Sequence, residues 1–355
     1  MPRLRRSNCS APGIARRRRG RGHEYIDAGD DRIDDPEVLE RIAALAIPPA
    51  WREVWICSDP LGHLQATGID AAGRKQYRYH ERWRAHRDRE KFDSMIAFGS
   101  ALPRLRRRVA RDLRVGDEGG SKPSPEERLR RERVLACAVR LLDIGFFRIG
   151  SDDYAERNES YGLTTMLRKH VAIEGEELVF DFPAKSGQRR VQAITDADAL
   201  AIVTELKRRR SGSQLLAYRV DEAWAELQAD DVNAYIKRFT KQDFTAKDFR
   251  TWNATVLAAV ALAASVGDGA PKKSTRAARE RNVKAAIKTV AAYLGNTPAV
   301  CRSSYVDPRV IDRYQAGVTI APALARLPSG APELADARIR ARIETAVLEL
   351  LGDAS

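Results

Sequence analysis

Four short segments carry side chains suited to holding an anion. LGNTPAVCRSSYVDP (294–308) places Asn296 and Tyr305 around a short helix. Gly295 ends the preceding helix, Thr297 can cap the next with Pro298 at its first position, and Tyr305 follows just beyond. Upstream, FFRIGSDDY (146–154) holds Arg148 and Tyr154, FPAKSG (182–187) holds Lys185, and TAKDFRTW (245–252) holds Lys247 and Arg250. Each segment alone says little, since an arginine or lysine on a basic protein is usually a solvated surface residue. Their order and spacing together carry the weight.

Several common catalytic engines are missing. No G-x-x-x-x-G-K-[ST] loop occurs, so nucleotide hydrolysis of that kind has no support. The five histidines, His23, His63, His80, His86 and His170, show no metal spacing and read as surface or packing residues. Asp196 and Asp198 form a D-x-D at the first turn of an expected helix, where acids complement the helix dipole. The four cysteines are far apart with no CxxC pair, against a zinc ribbon or a disulfide framework. Lys+Arg number 62 and Asp+Glu 49, a net charge of +13, which favours polyanionic partners, nucleic acid ahead of a membrane. The longest apolar run, Val256 to Ala264, is about half of a bilayer crossing, and no secretory apolar stretch follows Met1. A soluble, cytoplasmic protein is expected.

The 355 residues, 43% of them apolar, suffice for two domains with real cores. Residues 1–22 hold eight arginines and no acid, so mutual repulsion predicts a flexible basic arm, available for phosphate contact. From 23 to 98, VWIC (54–57), LQATGID (64–70) and KQYRYH (75–80) are separated by turn chemistry and predict a small antiparallel β domain, with a helix over 83–98 leading out. From 99 to 355 the periodicity is mainly helical. Val134, Cys137, Ala138, Leu141 and Leu142 make one stripe, and Val283, Ile287, Val290 and Leu294 another, closed by Gly295. Thr195 with Asp198, and Thr245 with Asp248, fit capping boxes. Residues 116–127 read as a loop. The exception to the helices is 178–193, two strand-like runs around Lys-Ser-Gly, a hairpin with Lys185 at its tip.

The five blocks GRKQYRYH, FFRIG, FPAKSG, KDFR and LGNTP…SSY stand in an order that resembles the type IB DNA topoisomerases, in particular the compact poxvirus-like enzymes of bacteria. The resemblance runs from about His23 to Leu351. It implies an α+β protein: a small antiparallel β N-terminal domain, and a larger, mainly helical catalytic domain with a β-hairpin, tyrosine-recombinase-like, the two forming a C-shaped clamp on double-stranded DNA. It implies a monomer that relaxes supercoils with no metal, nucleotide or other cofactor. By the same resemblance Tyr305 is the nucleophile and Arg148, Lys185, Arg250 and Asn296 complete the catalytic set. Arg74, Gln76, Tyr77, Tyr79, Tyr154 and Lys247 would contact DNA.

These residue types suit strand transfer. A phenol, with a pKa of about 10, leaves more readily than a sugar alcohol, so a phosphotyrosine link can be reversed by a 5′-hydroxyl without outside energy. Guanidinium groups offer planar, permanently charged donors for phosphate oxygens, and a lysine among other cations suits a general acid. Asn296 departs from the poxvirus pattern, which has histidine there. An amide can donate a hydrogen bond but has no titratable proton, so the position stabilises charge, with a modest loss of rate expected. The nearest rival is a tyrosine recombinase, which usually shows H-x-x-R where this chain has Lys247 ahead of Arg250, and lacks the GRKQYRYH domain. A non-catalytic basic DNA-binding protein would explain the charge but not the complete catalytic set.

Overall fold

Strand alternation around a few apolar side chains builds the first sheet. In this computed structural model the residues described are 2–20, 22–114, 129–152, 155–156, 159–221, 223–265, 275–327 and 336–352. Tyr154 and the expected loop at 116–127 lie outside them. The chain divides into two units, Met1–Phe92 and Asp93–Ser355. In the first, β1 (Ile14–Arg19), β2 (Gly22–Ile26), α1 (Pro36–Ala44), β3 (Arg52–Ile56), β4 (Leu64–Ile69) and β5 (Lys75–Tyr79) follow in order. The strands form one antiparallel sheet in the order β2-β1-β3-β4-β5. Ile14, Val54, Ile56 and Ala66 from the strands and Ile42 from α1 make its core.

The basic N-terminal stretch is not a flexible arm. Residues 14–19 form β1, paired with β2 from Ala15↔Ile26 to Arg19↔Gly22 and with β3 at Ile14↔Ile56. Repulsion among the arginines is relieved by partners outside the strand. Arg16 donates to the carbonyls of Ile47, Pro48 and Trp51 at 3.3, 3.0 and 2.7 Å, Arg17 pairs with Asp30, and Arg19 lies 3.5 Å from Glu24. Earlier still, the Arg5 N–H donates to Leu61 O and the His63 N–H to Arg5 O, both at 2.8 Å.

A long helix, α2 (Glu81–Leu113), replaces the shorter one expected over 83–98, and the division between units falls inside it at Phe92/Asp93, not at 98/99. The second unit continues with α3 (Arg131–Gly145), a three-stranded antiparallel sheet of β6 (Val171–Glu174), β7 (Glu177–Pro183) and β8 (Arg189–Thr195), and α4 (Ala197–Arg208). A second hairpin, β9 (Ala217–Val220) with β10 (Ala223–Glu226), was not legible as strand. There follow α5 (Ala229–Thr240), α6 (Ala246–Ala264), α7 (Arg276–Leu294), α8 (Pro298–Ser304), α9 (Pro308–Gln315), α10 (Ala321–Leu324) and α11 (Ala337–Gly352). The fold is thus α+β, a five-stranded antiparallel domain followed by a mainly helical one. Among the described residues no helix is long and apolar enough to cross a membrane.

Capping chemistry sets the helix starts. Thr245 opens α6 with its N–H donating to Asp248 at 2.7 Å, as the box pattern predicts. At α4 the cap is Asp196, which accepts the Ala199 N–H at 2.9 Å, and Thr195 instead ends β8. The core of this unit centres on α6, whose Trp252 is fully buried. Gly99 on α2 permits that contact, because a Cβ there would come within 2.5 Å of the indole. Beside it, Arg106 and Arg340 enclose Asp143 and Glu344: Arg106 forks onto Asp143 at 2.8 and 2.9 Å and reaches Glu344 Oε1 at 2.8 Å, while Arg340 reaches Asp143 at 2.6 Å.

Candidate active site

Tyr305 is delivered by a short helix with defined ends. Gly295 terminates α7 in the left-handed conformation, φ 60°, where the absence of a Cβ avoids strain. The Thr297 hydroxyl then accepts the Val300 N–H at 3.3 Å and Pro298 takes the first helical position. The Tyr305 N–H closes α8 on Cys301 O at 3.0 Å. From α6, Thr255 Oγ1 lies 3.3 Å from Tyr305 O and accepts the Asp307 N–H at 3.1 Å, so the tyrosine's backbone is held on both sides. Asp307, fully buried, caps α9 and is gripped by Arg309 at 2.7 Å.

Arginines gather where α3 and α7 end. Arg250, on the second turn of α6, is buried, with Cζ 5.2 Å from the centre of the Tyr305 ring. It donates to Phe146 O, and to Leu294 O at 2.8 Å. Phe146 itself sits at φ 54°, a costly backbone state for a bulky residue, which turns the chain out of α3 toward Arg148. That turn is fixed by Leu163 and Thr164, whose N–H groups donate to Arg148 O and Ile149 O at 2.8 Å. Arg148 donates to Asn296 Oδ1, and to Gly295 O at 3.2 Å. Among the described residues, two buried donors of this site, Arg250 Nε and Asn296 Nδ2, find no hydrogen-bond partner. Orphaned donors beside a hydroxyl are what an incoming anion would satisfy.

The electrostatics agree with the geometry. Burial pulls the Arg250 pKa down, and the charges of Arg148 and Arg190 add to that effect. Burial works the other way on Tyr305, but the charge and hydrogen bond of Arg250, with the charges of Arg148 and Lys247, outweigh it and leave the phenol below the usual tyrosine range. Lys185 stands exposed at the tip between β7 and β8, where Gly187 adopts φ 70°. It lines a cleft of about 700 Å³ with Arg148, Arg190 and Asn296. Lys247 is exposed at the start of α6. The structure therefore brings together Arg148, Arg250, Asn296 and Tyr305, with Lys185 on the adjoining cleft.

Independent comparison decides the family. The family model for the eukaryotic DNA topoisomerase I catalytic core matches residues 80–320, and that for the bacterial DNA topoisomerase IB N-terminal domain matches residues 22–70. The chain belongs to the type IB DNA topoisomerases. Such enzymes are isomerases that relax supercoiled DNA. Among its relatives is a DNA topoisomerase 1B of Acanthamoeba polyphaga mimivirus, 32% identical over 311 residues that span 85% of this chain and 88% of the relative. The DNA topoisomerase 1B of vaccinia virus (strain Western Reserve) is 21% identical over 286 residues, 79% of this chain and 82% of its own length. A DNA topoisomerase 1 of Mycosarcoma maydis shares 24% identity over 192 residues, 49% of this chain but 18% of the larger fungal one.

In the first unit of this topoisomerase, the GRKQYRYH segment forms β5 and the turn before it. Tyr77 and Tyr79 point outward on one face, 47% and 41% exposed, their rings stacked at 6.1 Å, so neither is a core residue. Arg74 precedes the strand and Gln76 lies on it, and both donate to one Asp70 oxygen at 2.9 Å. Sequence reading missed Arg190, Thr255 and Asp307. For Asp307 a signal existed, since Asp-Pro is a helix-start pair.

Proposed function

We propose that this type IB topoisomerase relaxes duplex DNA by cutting one strand through Tyr305 and resealing it, without metal or nucleotide. Tyr305 gives up its phenolic proton to solvent and the phenolate oxygen attacks the scissile phosphorus; a 3′-phosphotyrosyl bond forms, and the bond to the 5′-oxygen breaks. The departing oxygen takes a proton from Lys185. Religation reverses each step once the free end has swivelled, and the phosphotyrosine link conserves the bond energy throughout. Arg148 and Arg250 hold the two non-bridging oxygens, whose charge grows in the transition state. Asn296 donates one further hydrogen bond. Arg74, Gln76, Tyr77 and Tyr79 on the β domain, with Tyr154 and Lys247 on the catalytic one, position the duplex for a monomeric enzyme.

The observation that carries this reading is the placement of the Tyr305 ring against a buried Arg250 whose guanidinium, among the described residues, meets main-chain carbonyls and no carboxylate, which favours the phenolate and leaves the guanidinium able to meet a phosphate. The test is Tyr305→Phe. Relaxation of supercoiled plasmid in EDTA without ATP should disappear while duplex affinity stays within a few-fold of the parent; unchanged relaxation would overturn the assignment.

A further inference from the structure

Arg190 has no chemical role in the scheme above, yet its position is distinctive. It stands on β8, five residues beyond Lys185. Alternation turns its neighbour Arg189 outward, where it forks onto Asp181 at 2.7 and 2.5 Å, and turns Arg190 inward. There its guanidinium donates to Tyr293 O at 2.9 Å, Leu294 O at 3.2 Å and Gly145 O at 3.4 Å. Gln192 Oε1 accepts from it at 2.8 Å, and Gln192 in turn donates to Gly145 O at 2.7 Å. These carbonyls are the ends of two helices. Tyr293 and Leu294 close α7 just before Asn296, and Gly145 closes α3 just before Arg148. Last-turn carbonyls lack intrahelical donors and carry the negative end of the helix dipole. One side chain thus fastens the strand that follows the lysine hairpin to the two segments that bear Arg148 and Asn296.

A cation in this place works against stability. Burial, helped by the charge of Arg148, pushes the Arg190 pKa down to about 10, and its hydrogen bonds go to main-chain and amide oxygens, not to a carboxylate. An apolar chain of similar length would fill the space without that desolvation cost, but could not hold three carbonyls in fixed directions. Resting on the reading of Lys185 as the acid, we infer that Arg190 is a positioning residue for strand cleavage, docking the β7–β8 hairpin so that Lys185 stands over the scissile phosphate. The other groups do not depend on it. Leu294 O keeps its bond from Arg250, and Gly295 O and Asn296 keep theirs from Arg148. Loss of Arg190 therefore falls on the hairpin.

The test is single-turnover cleavage by the full-length enzyme of a duplex with either oxygen or sulfur at the 5′-bridging position; sulfur leaves without a proton. Arg190→Met should melt no lower than the parent, cut the oxygen substrate about 10²-fold more slowly, and cut the sulfur substrate within a few-fold of the parent. Lys185→Ala should behave alike, and the double variant should be no slower than Lys185→Ala alone. Arg190→Lys, which can still reach one carbonyl, should recover part of the rate and needs the same sulfur rescue should Arg190→Met fold poorly. Parent-like cleavage of the oxygen substrate, slow cleavage of both substrates, or additivity with Lys185→Ala would overturn the inference. If Lys185→Ala is not rescued, the acid reading falls and takes this one with it. If Lys185→Ala is rescued and the Arg190 variants are not, the positioning role alone is wrong.

Discussion

Asp143 and Arg148 lie five residues apart and belong to opposite solutions for burying arginine. Around Asp143, two cations face two anions. Burial alone would raise the Asp143 pKa, but Arg340 and Arg106 overcome it and bring it down to about 2. Around Arg148, the guanidinium groups of Arg250 and Arg190 are met by main-chain carbonyls, and burial together with the charge of Arg148 lowers the pKa of both. The first cluster is complete as it stands. The second leaves two buried donors, Arg250 Nε and Asn296 Nδ2, without a partner among the described residues, donors that an incoming anion would satisfy. Charge is balanced in one network and left unbalanced in the other, as the proposed phosphate site requires.

The contrast can be broken by moving each cluster toward the other. Arg340→Ala should have the largest effect, because it strips a cation from two buried carboxylates: a loss of about 3–5 kcal/mol of stability, read as a lower unfolding midpoint, with activity retained wherever the protein is still folded. An unchanged midpoint would mean that the network is not what holds α11 to the core. Arg250→Met should do the reverse. Single-turnover cleavage should fall by about 10²–10³-fold while the unfolding midpoint holds or rises; a variant that merely unfolds would make Arg250 structural.

The smallest effect concerns pH. With its phenol below the ordinary tyrosine range, Tyr305 reaches the phenolate at lower pH, so the alkaline rise in cleavage rate should lie below that of an unperturbed tyrosine. Lys247→Met removes one of the charges responsible and should move that rise to higher pH. A profile that does not move would show that Lys247 is too solvated to matter.

Much of this was legible in the sequence because it rests on local chemistry. The β3–β5 strands follow from alternation between turns, the Thr297–Pro298 start of α8 from capping, and the lysine tip from a Lys-Ser-Gly turn. What escaped depends on partners far along the chain. β1 looked unable to order because the carbonyls of residues 47, 48 and 51 that receive Arg16 cannot be seen from residues 14–19. Arg190 carries no local signal, because the carbonyls that receive it belong to residues 145, 293 and 294. The Arg106–Asp143–Arg340–Glu344 cluster joins three helices, and no periodicity reports it. Strand alternation puts Tyr77 and Tyr79 on one face, but which face meets solvent is set by the whole sheet.

The most direct measurement is chemical. Full-length enzyme mixed with an end-labelled duplex, stopped with detergent and digested, should yield a peptide containing Tyr305 with the 3′ phosphate of the cut strand on its phenolic oxygen. A 3′ end carried by a different residue, a linkage to the 5′ end, or relaxation with no adduct at all would contradict the account.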